Sequence, residues 1–513
     1  MKNFKASILI VLLMISMGPA CTRLDETLYT QVPVDDFGKS EEQINALVGS
    51  IYSSLKLHCI DWDTYLTMDG LSSDMIAIPG FKGGDWSEPM YKETMQHKWN
   101  ASSSGFNASY FEPSASISLC NQIYYQIDIN KAIVPELKDQ ILAEIRGVRA
   151  FWYYILCDHY GNVPIVTDFL DKSQPETKTR QEVFTFIVNE LNDIKDKLRN
   201  DVATPASYGK MTRGAAYTLL AKMYLNAAVW NPAGGNKWED CVKACDTVLA
   251  MPYQLEKWDI NFVSNNNISR EAIFSAVFRA GGSGRQNNIA LNTLHYFDPI
   301  ALGLNIAPWN GIAANPPYVK EFDPADTRFA ASFLIGPMKN PAGEIIMTPH
   351  GRPLIHTIDM VLNEVGPDGW GWINQEEGAR IKKWQFEPGL STSMENDFHI
   401  FRLADVYLMK AEALLRSGGS NGEATSLVNT IRARAFADPS KLYTAVTLED
   451  IYKERRFELA WEGFTRQDMI RYNKFLLPRP PFKPNTSDPK YLLYAIPQAA
   501  IDANNKLKQN PGY

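Results

Sequence analysis

Two groups of residues in this chain of 513 residues have types and spacing that suit chemistry. The first is a charged run near the C-terminal end, Glu454, Arg455, Arg456, Glu458 and Glu462, which spans about two and a half helical turns. Glu458 and Glu462 are four apart and share a face if the helix continues, and a carboxylate pair is what glycoside hydrolysis requires. The interleaved arginines favour another use, an ion-pair network between helices. A catalytic pair also needs a cleft, which the interior of a repeat helix does not offer. The second group is a set of aromatics in stretches rich in Gly, Pro and Asn: Trp86, Tyr91, Tyr296, Trp309, Trp370 and Trp372. Asp85, Asn287, Asn288 and Asn310 lie close to them in sequence. The C–H face of a sugar packs flat on an exposed aromatic ring, and its hydroxyls take hydrogen bonds from amides and carboxylates. These residues form the candidate ligand-binding set; the alternative is that each tryptophan is simply core. Trp152, Trp230, Trp238 and Trp461 fall in helical patterns and read as core. Trp384, beside Lys382 and Lys383, reads as the start of a strand.

Other chemistries lack their residues. The seven histidines are scattered, with no H-E-x-x-H and no paired ligand spacing. Beyond Cys21 there are Cys59, Cys120, Cys157, Cys241 and Cys245, an odd set that cannot all pair within one chain. Cys241 and Cys245 sit four apart, which is not a C-x-x-C redox or zinc spacing, so the cysteines read as buried free thiols. Pro33 to Ser40 (PVDDFGKS) lacks the first glycine of a phosphate loop. GGSGR (281–285) is one residue short of a serine-hydrolase elbow. No calcium loop of D-x-D-x-D-G type is present. We therefore expect no catalytic residue, no metal and no cofactor. The formal charge is −7 with no basic patch, which argues against nucleic-acid binding.

The elements that must position the candidate residues are mostly helical. From Gln140 to His159, apolar residues fall at Ile141, Ile145, Val148, Trp152 and Ile155; from Arg180 to Leu198 they fall at Val183, Ile187, Leu191, Ile194 and Leu198. Both are single apolar stripes at helical spacing. Thr212 to Ala228 and Trp238 to Met251, split by NPAGGNK, make a helix–loop–helix of tetratricopeptide type, with small residues allowing close approach. Phe401 to Arg416 and Glu423 to Ala437 make a second pair, and a further helix starts near Leu448. Residues 61–115 and 252–400 differ in texture, with segments such as IPGFKGGDW (78–86), LNIAPWNG (304–311) and VGPDGWGW (365–372). These read as loops and short strands, and loops on a rigid scaffold are where binding residues tend to lie.

The N-terminus reads as an export signal. Lys2 and Lys5 precede an apolar run from Ala6 to Met17, too short for a membrane span of roughly 20 residues. Gly18-Pro19-Ala20-Cys21 follows, and a small residue directly before cysteine suits lipoprotein processing, although Gly18 stands where an aliphatic residue is usual. The expected organisation is a signal peptide (1–20), a lipid-anchored linker (21–34) lipidated at Cys21, and one domain (35–513). That domain divides into helical repeats at about 35–60, 116–251 and 400–476, a loop-rich binding half at about 61–115 and 252–400, and a C-terminal tail at 477–513.

Several segments in order carry a family resemblance: FRLADVYLMKAEALLR (401–416), SLVNTIRARA (426–435), IYKERRFELAWEGFTRQDMIRYNKF (451–475) and YLLYAIPQAAIDANNKLKQNPGY (491–513). The pattern E-R-R-x-E-L-x-x-E-G is met by Glu454, Arg455, Arg456, Glu458, Leu459, Glu462 and Gly463. A terminal N-x-x-L-x-Q-N-P-G-Y runs from Asn504 to Tyr513 after Pro497. SSD (72–74), GDW (84–86) and a Trp99 before a helix beginning near Ser116 agree with it. With these the chain resembles the SusD/RagB family of Bacteroidetes outer-membrane lipoproteins over nearly its whole mature length. The resemblance implies a mainly α fold, a tetratricopeptide-like helical superhelix packed against a loop-rich half with short strands. It implies a surface lipoprotein, lipid-anchored at the outer membrane, that lies as a lid on a SusC-like TonB-dependent transporter, binds oligosaccharides and passes them on without cleavage. Some members of the family handle other nutrients such as peptides, and some hold calcium. The competing class is a cell-surface glycoside hydrolase on a helical scaffold; a lipoprotein that only gates the transporter is a third.

Overall fold

The computed structural model describes residues 41–61, 63–78, 86, 88–202, 204–279, 281, 284–360 and 375–513. Cys21 with its signal and linker, Asp85, Trp370 and Trp372 lie outside the described residues. The chain divides into a unit of residues 1–45 and a body of residues 46–513.

The fold is mainly α. Helices α1 (Glu41–Ser53), α2 (Tyr65–Ser72) and α3 (Pro89–Met95) precede the long pair α4 (Asn107–Ile129) and α5 (Pro135–His159). Next come α6 (Arg180–Ile194), α7 (Arg213–Leu225) and α8 (Trp238–Leu249). After a long stretch of turns and short strands the chain returns to helix with α9 (Leu403–Arg416), α10 (Asn421–Arg432), α11 (Leu448–Glu458) and α12 (Thr465–Arg471). From α4 onward each long helix packs on the next, and α8 packs on α9 across the intervening insertion. Helices far apart in sequence thus form one continuous tetratricopeptide-like array.

Local chemistry explains these elements. Thr179 and Glu182 form a capping box at the start of α6, and Thr447 with Asp450 forms one at α11. Thr212 and Ser420 cap α7 and α10 with their side chains. The stripes at Ile141, Ile145, Val148, Trp152 and Ile155, and at Val183, Ile187, Leu191 and Ile194, are all buried. Gly214 lets α7 approach Tyr253, whose hydroxyl would lie 2.3 Å from an added Cβ.

Several boundaries differ from those read off the sequence. α4 begins at Asn107 rather than near Ser116, with Pro113 inside it; one proline removes one backbone bond and the neighbouring turns keep the rest. Phe401 and Arg402 belong to a strand, and α9 starts at Leu403. Tyr91 lies on helix α3, not in a loop. α11 stops at Glu458, and Trp461 (φ 60°) and Gly463 (φ 85°) turn the chain, so Glu462 is not one helical turn beyond Glu458 on a shared face and Trp461 is core without being helical. Trp384 starts no strand; it is buried and stacked on Phe398, with ring centroids 5.5 Å apart.

The longest sheet element is a two-stranded antiparallel ladder, β1 (Ala272–Ala276) against β2 (Phe398–Arg402), with every residue of both strands buried. It ties the two ends of the loop-rich insertion together and runs directly into α9. The C-terminal tail is fastened by its own motif residues. Asn510 Nδ2 donates to the carbonyls of Tyr160 (2.7 Å) and Tyr494 (2.8 Å). Tyr513 Oη accepts from Trp99 Nε1 at 2.7 Å and donates to the Leu493 carbonyl at 2.8 Å.

Candidate functional site

The charged run is structural. Glu458 accepts from Arg402 (2.7 Å), Arg434 (2.6 Å) and Arg328 (3.0 Å). Glu454 pairs with Arg328 and Arg432, and Glu462 with Arg402 and Lys383. Glu271, immediately before β1, adds a carboxylate to Arg402 and Arg434. Arg455 holds Asp405 and Asp468, and Arg456 holds Asp74 and Glu321. Burial pushes the Glu458 carboxyl up, but Arg434, Arg402 and Arg328 outweigh it and hold the group well below the usual carboxylate range. A general acid needs a raised pKa and access to substrate; Glu458 has neither.

Two further clusters have the look of chemistry. Ser275 Oγ and His399 Nδ1 are 2.9 Å apart, but both are buried inside the β1–β2 ladder. Among the described residues, Asp69, Asp158 and His159 place ligand atoms close enough for a metal ion. Arg466 already stands there, 3.4 Å from Asp158 and 4.0 Å from Asp69, and His159 Nε2 lies 3.0 Å from Asp69. The guanidinium supplies the positive charge that a metal would bring.

The loop-rich insertion holds a cavity of about 380 Å³. Gln286 and Asn288 line it from one loop, with Leu291 on the short helix Ile289–Thr293 that follows, Asn305, Ile306 and Ala307 from a second loop, and Ser391, Thr392 and Ser393 from a third. The three loops are laced pairwise by backbone. Met394 N–H donates to the Asn287 carbonyl at 2.9 Å, Asn305 N–H to Leu390 at 2.7 Å, and Trp309 N–H to Leu291 at 2.6 Å. Ser393 Oγ donates to Gln286 Oε1 at 3.0 Å. The first loop is anchored outward as well: Asn288 and Asn292 donate to the two oxygens of Asp61, at 3.2 and 3.0 Å. Arg285 binds Asp63 and Glu112 on α4, both at 2.8 Å. A larger cavity of about 730 Å³ lies between α4, α5, residues 164–178 and the C-terminal helix Gln498–Ala503, and none of the candidate residues lines it.

The candidate residues divide into three. Asn288 lines the 380 Å³ cavity, and Trp309, half-buried, follows the lining residue Ala307 by two positions. Asn287 is buried and fastens the loops, its Nδ2 donating to the Asn396 carbonyl at 2.9 Å. Trp86 and Tyr91, expected as exposed stacking platforms, are buried, with ring centroids 5.5 Å apart. Apolar rings with a close-packed partner available are held inside by the area they remove from water. The Trp86 indole lies against Gly311, where an added Cβ would come within 1.9 Å of Cε2. Trp86 (φ 65°) and Asn310 (φ 52°) both hold the left-handed backbone that glycine usually takes, a strain that clusters at functional sites. Asn310 is buried, its backbone N–H on the Leu294 carbonyl and its side chain on the Gln375 carbonyl at 3.4 Å. Tyr296 is half-buried beside His295 and does not line the cavity. Reading the sequence for aromatics missed Gln286, Asn305 and Ser391 to Ser393; the signal was the polar run Ser-Thr-Ser just after Gly389 in a loop region.

Comparisons with known proteins agree with this architecture. The profile described as "SusD family" matches residues 271–513, and one described as "Starch-binding associating with outer membrane" matches residues 75–225. The starch-binding protein SusD of Bacteroides thetaiotaomicron is 27% identical over 419 residues, covering 72% of each chain. A SusD-like protein of Bacteroides ovatus is 24% identical over 481 residues, covering 90% of this chain and 79% of its own. Among solved structures, the surface glycan-binding protein A of Bacteroides uniformis superposes with a TM-score of 0.74 at 18% identity, over 92% of this chain and 99% of that one. The two profiles between them take in helices of the array on both sides of the loop-rich insertion and the C-terminal tail, and the chain belongs to the SusD/RagB family.

Proposed function

We propose that the protein is a cell-surface glycan-binding lipoprotein, one domain from residue 35 onward, held to the outer membrane by a lipid on Cys21. It captures oligosaccharides and delivers them, uncleaved, to a SusC-like TonB-dependent transporter. The observation that carries this reading is the cavity between the three laced loops. Its lining presents the amides of Gln286, Asn288 and Asn305 and the hydroxyls of Ser391, Thr392 and Ser393, with Leu291, Ile306 and Ala307 as its apolar residues. Amides and hydroxyls both donate and accept, which matches the mixed needs of sugar hydroxyls. A pocket of this volume, mostly preformed, is the usual form of a small-ligand site. Trp309 is the half-buried aromatic nearest in sequence to that wall, and stacking on a sugar ring is its assigned role. Asn287, Arg285 and the Trp86–Gly311 contact position the loops rather than touch the ligand. Relatives named for binding starch and surface glycans support the substrate class.

The described carboxylate cluster is committed to arginines, which supports binding without hydrolysis. Native affinity electrophoresis through gels containing single polysaccharides tests the reading. We expect retention on at least one of them, lost or weakened in Trp309→Ala, with no new reducing ends in solution. Cleavage of the retained polysaccharide would move the protein to the hydrolase class. Failure on every polysaccharide, with binding of peptides instead, would move it to a peptide importer.

A further inference from the structure

The walls of the cavity also bear on which sugars it takes. Among the described residues, none that lines it is ionisable: its polar groups are the side chains of Gln286, Asn288, Asn305, Ser391, Thr392 and Ser393. The nearest cation in sequence, Arg285, is already spent. Its guanidinium donates to both oxygens of Asp63, at 2.8 and 3.3 Å, and to Glu112 at 2.8 Å. Asp61, the carboxylate behind the first loop, is buried, with one oxygen on the Asn288 amide and the other on the Asn292 amide, and the exposed carboxylates Glu387 and Glu395, which flank the third loop in sequence, do not line the cavity. Arg279, on the same stretch of chain, is paired with Asp397.

The cavity is open, with Asn305, Ala307, Ser391 and Thr392 exposed, so a uronate or sulfate seated in it gives up part of its water without meeting a positive charge on the lining, and an ammonium sugar does so without meeting a lining carboxylate. Desolvating an ion without a partner is far costlier than desolvating a hydroxyl that regains its hydrogen bonds. Neutral sugars carry only hydroxyls and ring oxygens, and the wall supplies donors and acceptors for both. We infer that the cavity selects neutral oligosaccharides and rejects acidic, sulfated and amino-sugar chains. This deepens the glycan-binding reading and rests on it.

The test compares retention of the full mature chain in gels of neutral polysaccharides (amylopectin, laminarin, galactomannan, arabinan) and of charged ones (polygalacturonate, alginate, chondroitin sulfate, chitosan). Thr392→Arg is run beside it, because one guanidinium on the wall supplies the missing partner. The expected result is retention of wild type on one or more neutral gels and on none of the charged ones, with Thr392→Arg gaining at least tenfold on polygalacturonate in a parallel titration. Retention of wild type on a charged gel equal to its best neutral one, surviving in 0.5 M salt (about a 4 Å Debye length), overturns the selectivity while leaving glycan binding intact. Retention on no gel of either kind overturns the glycan reading and the selectivity with it. A Thr392→Arg variant that folds, keeps its neutral ligand and gains nothing on anionic chains overturns the argument from missing charge.

Discussion

Replacing Gly311 with alanine puts a methyl group where the Trp86 indole lies. The added Cβ falls 1.9 Å from Cε2 and 2.3 Å from both Cδ2 and Nε1, far inside the roughly 3.5–4.0 Å of a normal carbon contact. Gly311 is not in the left-handed region, so alanine incurs no backbone penalty there and the effect is steric alone. The indole cannot simply step aside, since its own backbone is at φ 65° and its ring packs on Tyr91. Overpacking of this kind costs about 1–3 kcal/mol. Trp86→Ala removes a large buried ring and costs about 3–5 kcal/mol. In the double variant the methyl has no ring to strike, so its stability should match Trp86→Ala within about 0.5 kcal/mol, a coupling of about 1–3 kcal/mol in the rescuing sense. Urea unfolding followed by far-ultraviolet circular dichroism measures all four corners of the cycle. Strict additivity would show that the two residues do not touch in solution and would refute the packing argument. Gly311→Ala should also weaken glycan retention, because the same turn carries Trp309.

Three further outcomes follow from the buried polar groups. Arg402→Met leaves Glu271, Glu458 and Glu462 with fewer cations in a buried setting, a loss of about 3–5 kcal/mol; a change under 1 kcal/mol in urea unfolding would refute the network's role. Burial lowers His399 to about 4 and His58 to about 3, against about 6.5 in the unfolded chain. Below pH ~6.5 the unfolded chain therefore binds more protons than the folded one. Stability should be full above pH ~6.5 and fall through the window down to pH 4, His399 alone contributing about 3 kcal/mol; an equal urea midpoint at pH 7 and pH 4.5 contradicts this. Tyr513→Phe leaves the Trp99 indole N–H without its acceptor at a cost of about 1–3 kcal/mol, read as a lowered thermal midpoint, and no shift would mean the tail is not fastened there.

The helical half was legible because its signals are local. Single apolar stripes and small residues at close contacts placed α5, α6 and α7 within a few residues, and the start of α11 was read at Leu448. The errors came where distant contacts override local pattern. Arg402 reads as the start of a helix, yet its guanidinium is buried among Glu271, Glu458 and Glu462, and its backbone completes a strand with residue 272. Glu462 reads as one turn beyond Glu458, yet the chain reverses between them and both carboxylates still reach Arg402. The candidate cavity was legible by region and not by residue. Gly, Pro and Asn marked the loops, and Asn288 does line the cavity. Burial of Trp86 depends on a glycine more than two hundred positions away, which no local pattern reveals. Ser391 to Ser393 gave no aromatic signal at all.

The central claim is that the cavity between the three laced loops captures the glycan. Ser393→Trp fills it from the wall with a bulky ring, at a loop position away from the helical core. Affinity electrophoresis of wild type and Ser393→Trp on the best-retaining polysaccharide, with circular dichroism confirming an unchanged fold, decides the matter. If the glycan sits there, the variant migrates as in a gel without polysaccharide. Retention equal to wild type would place the glycan elsewhere on the molecule and refute capture in this cavity.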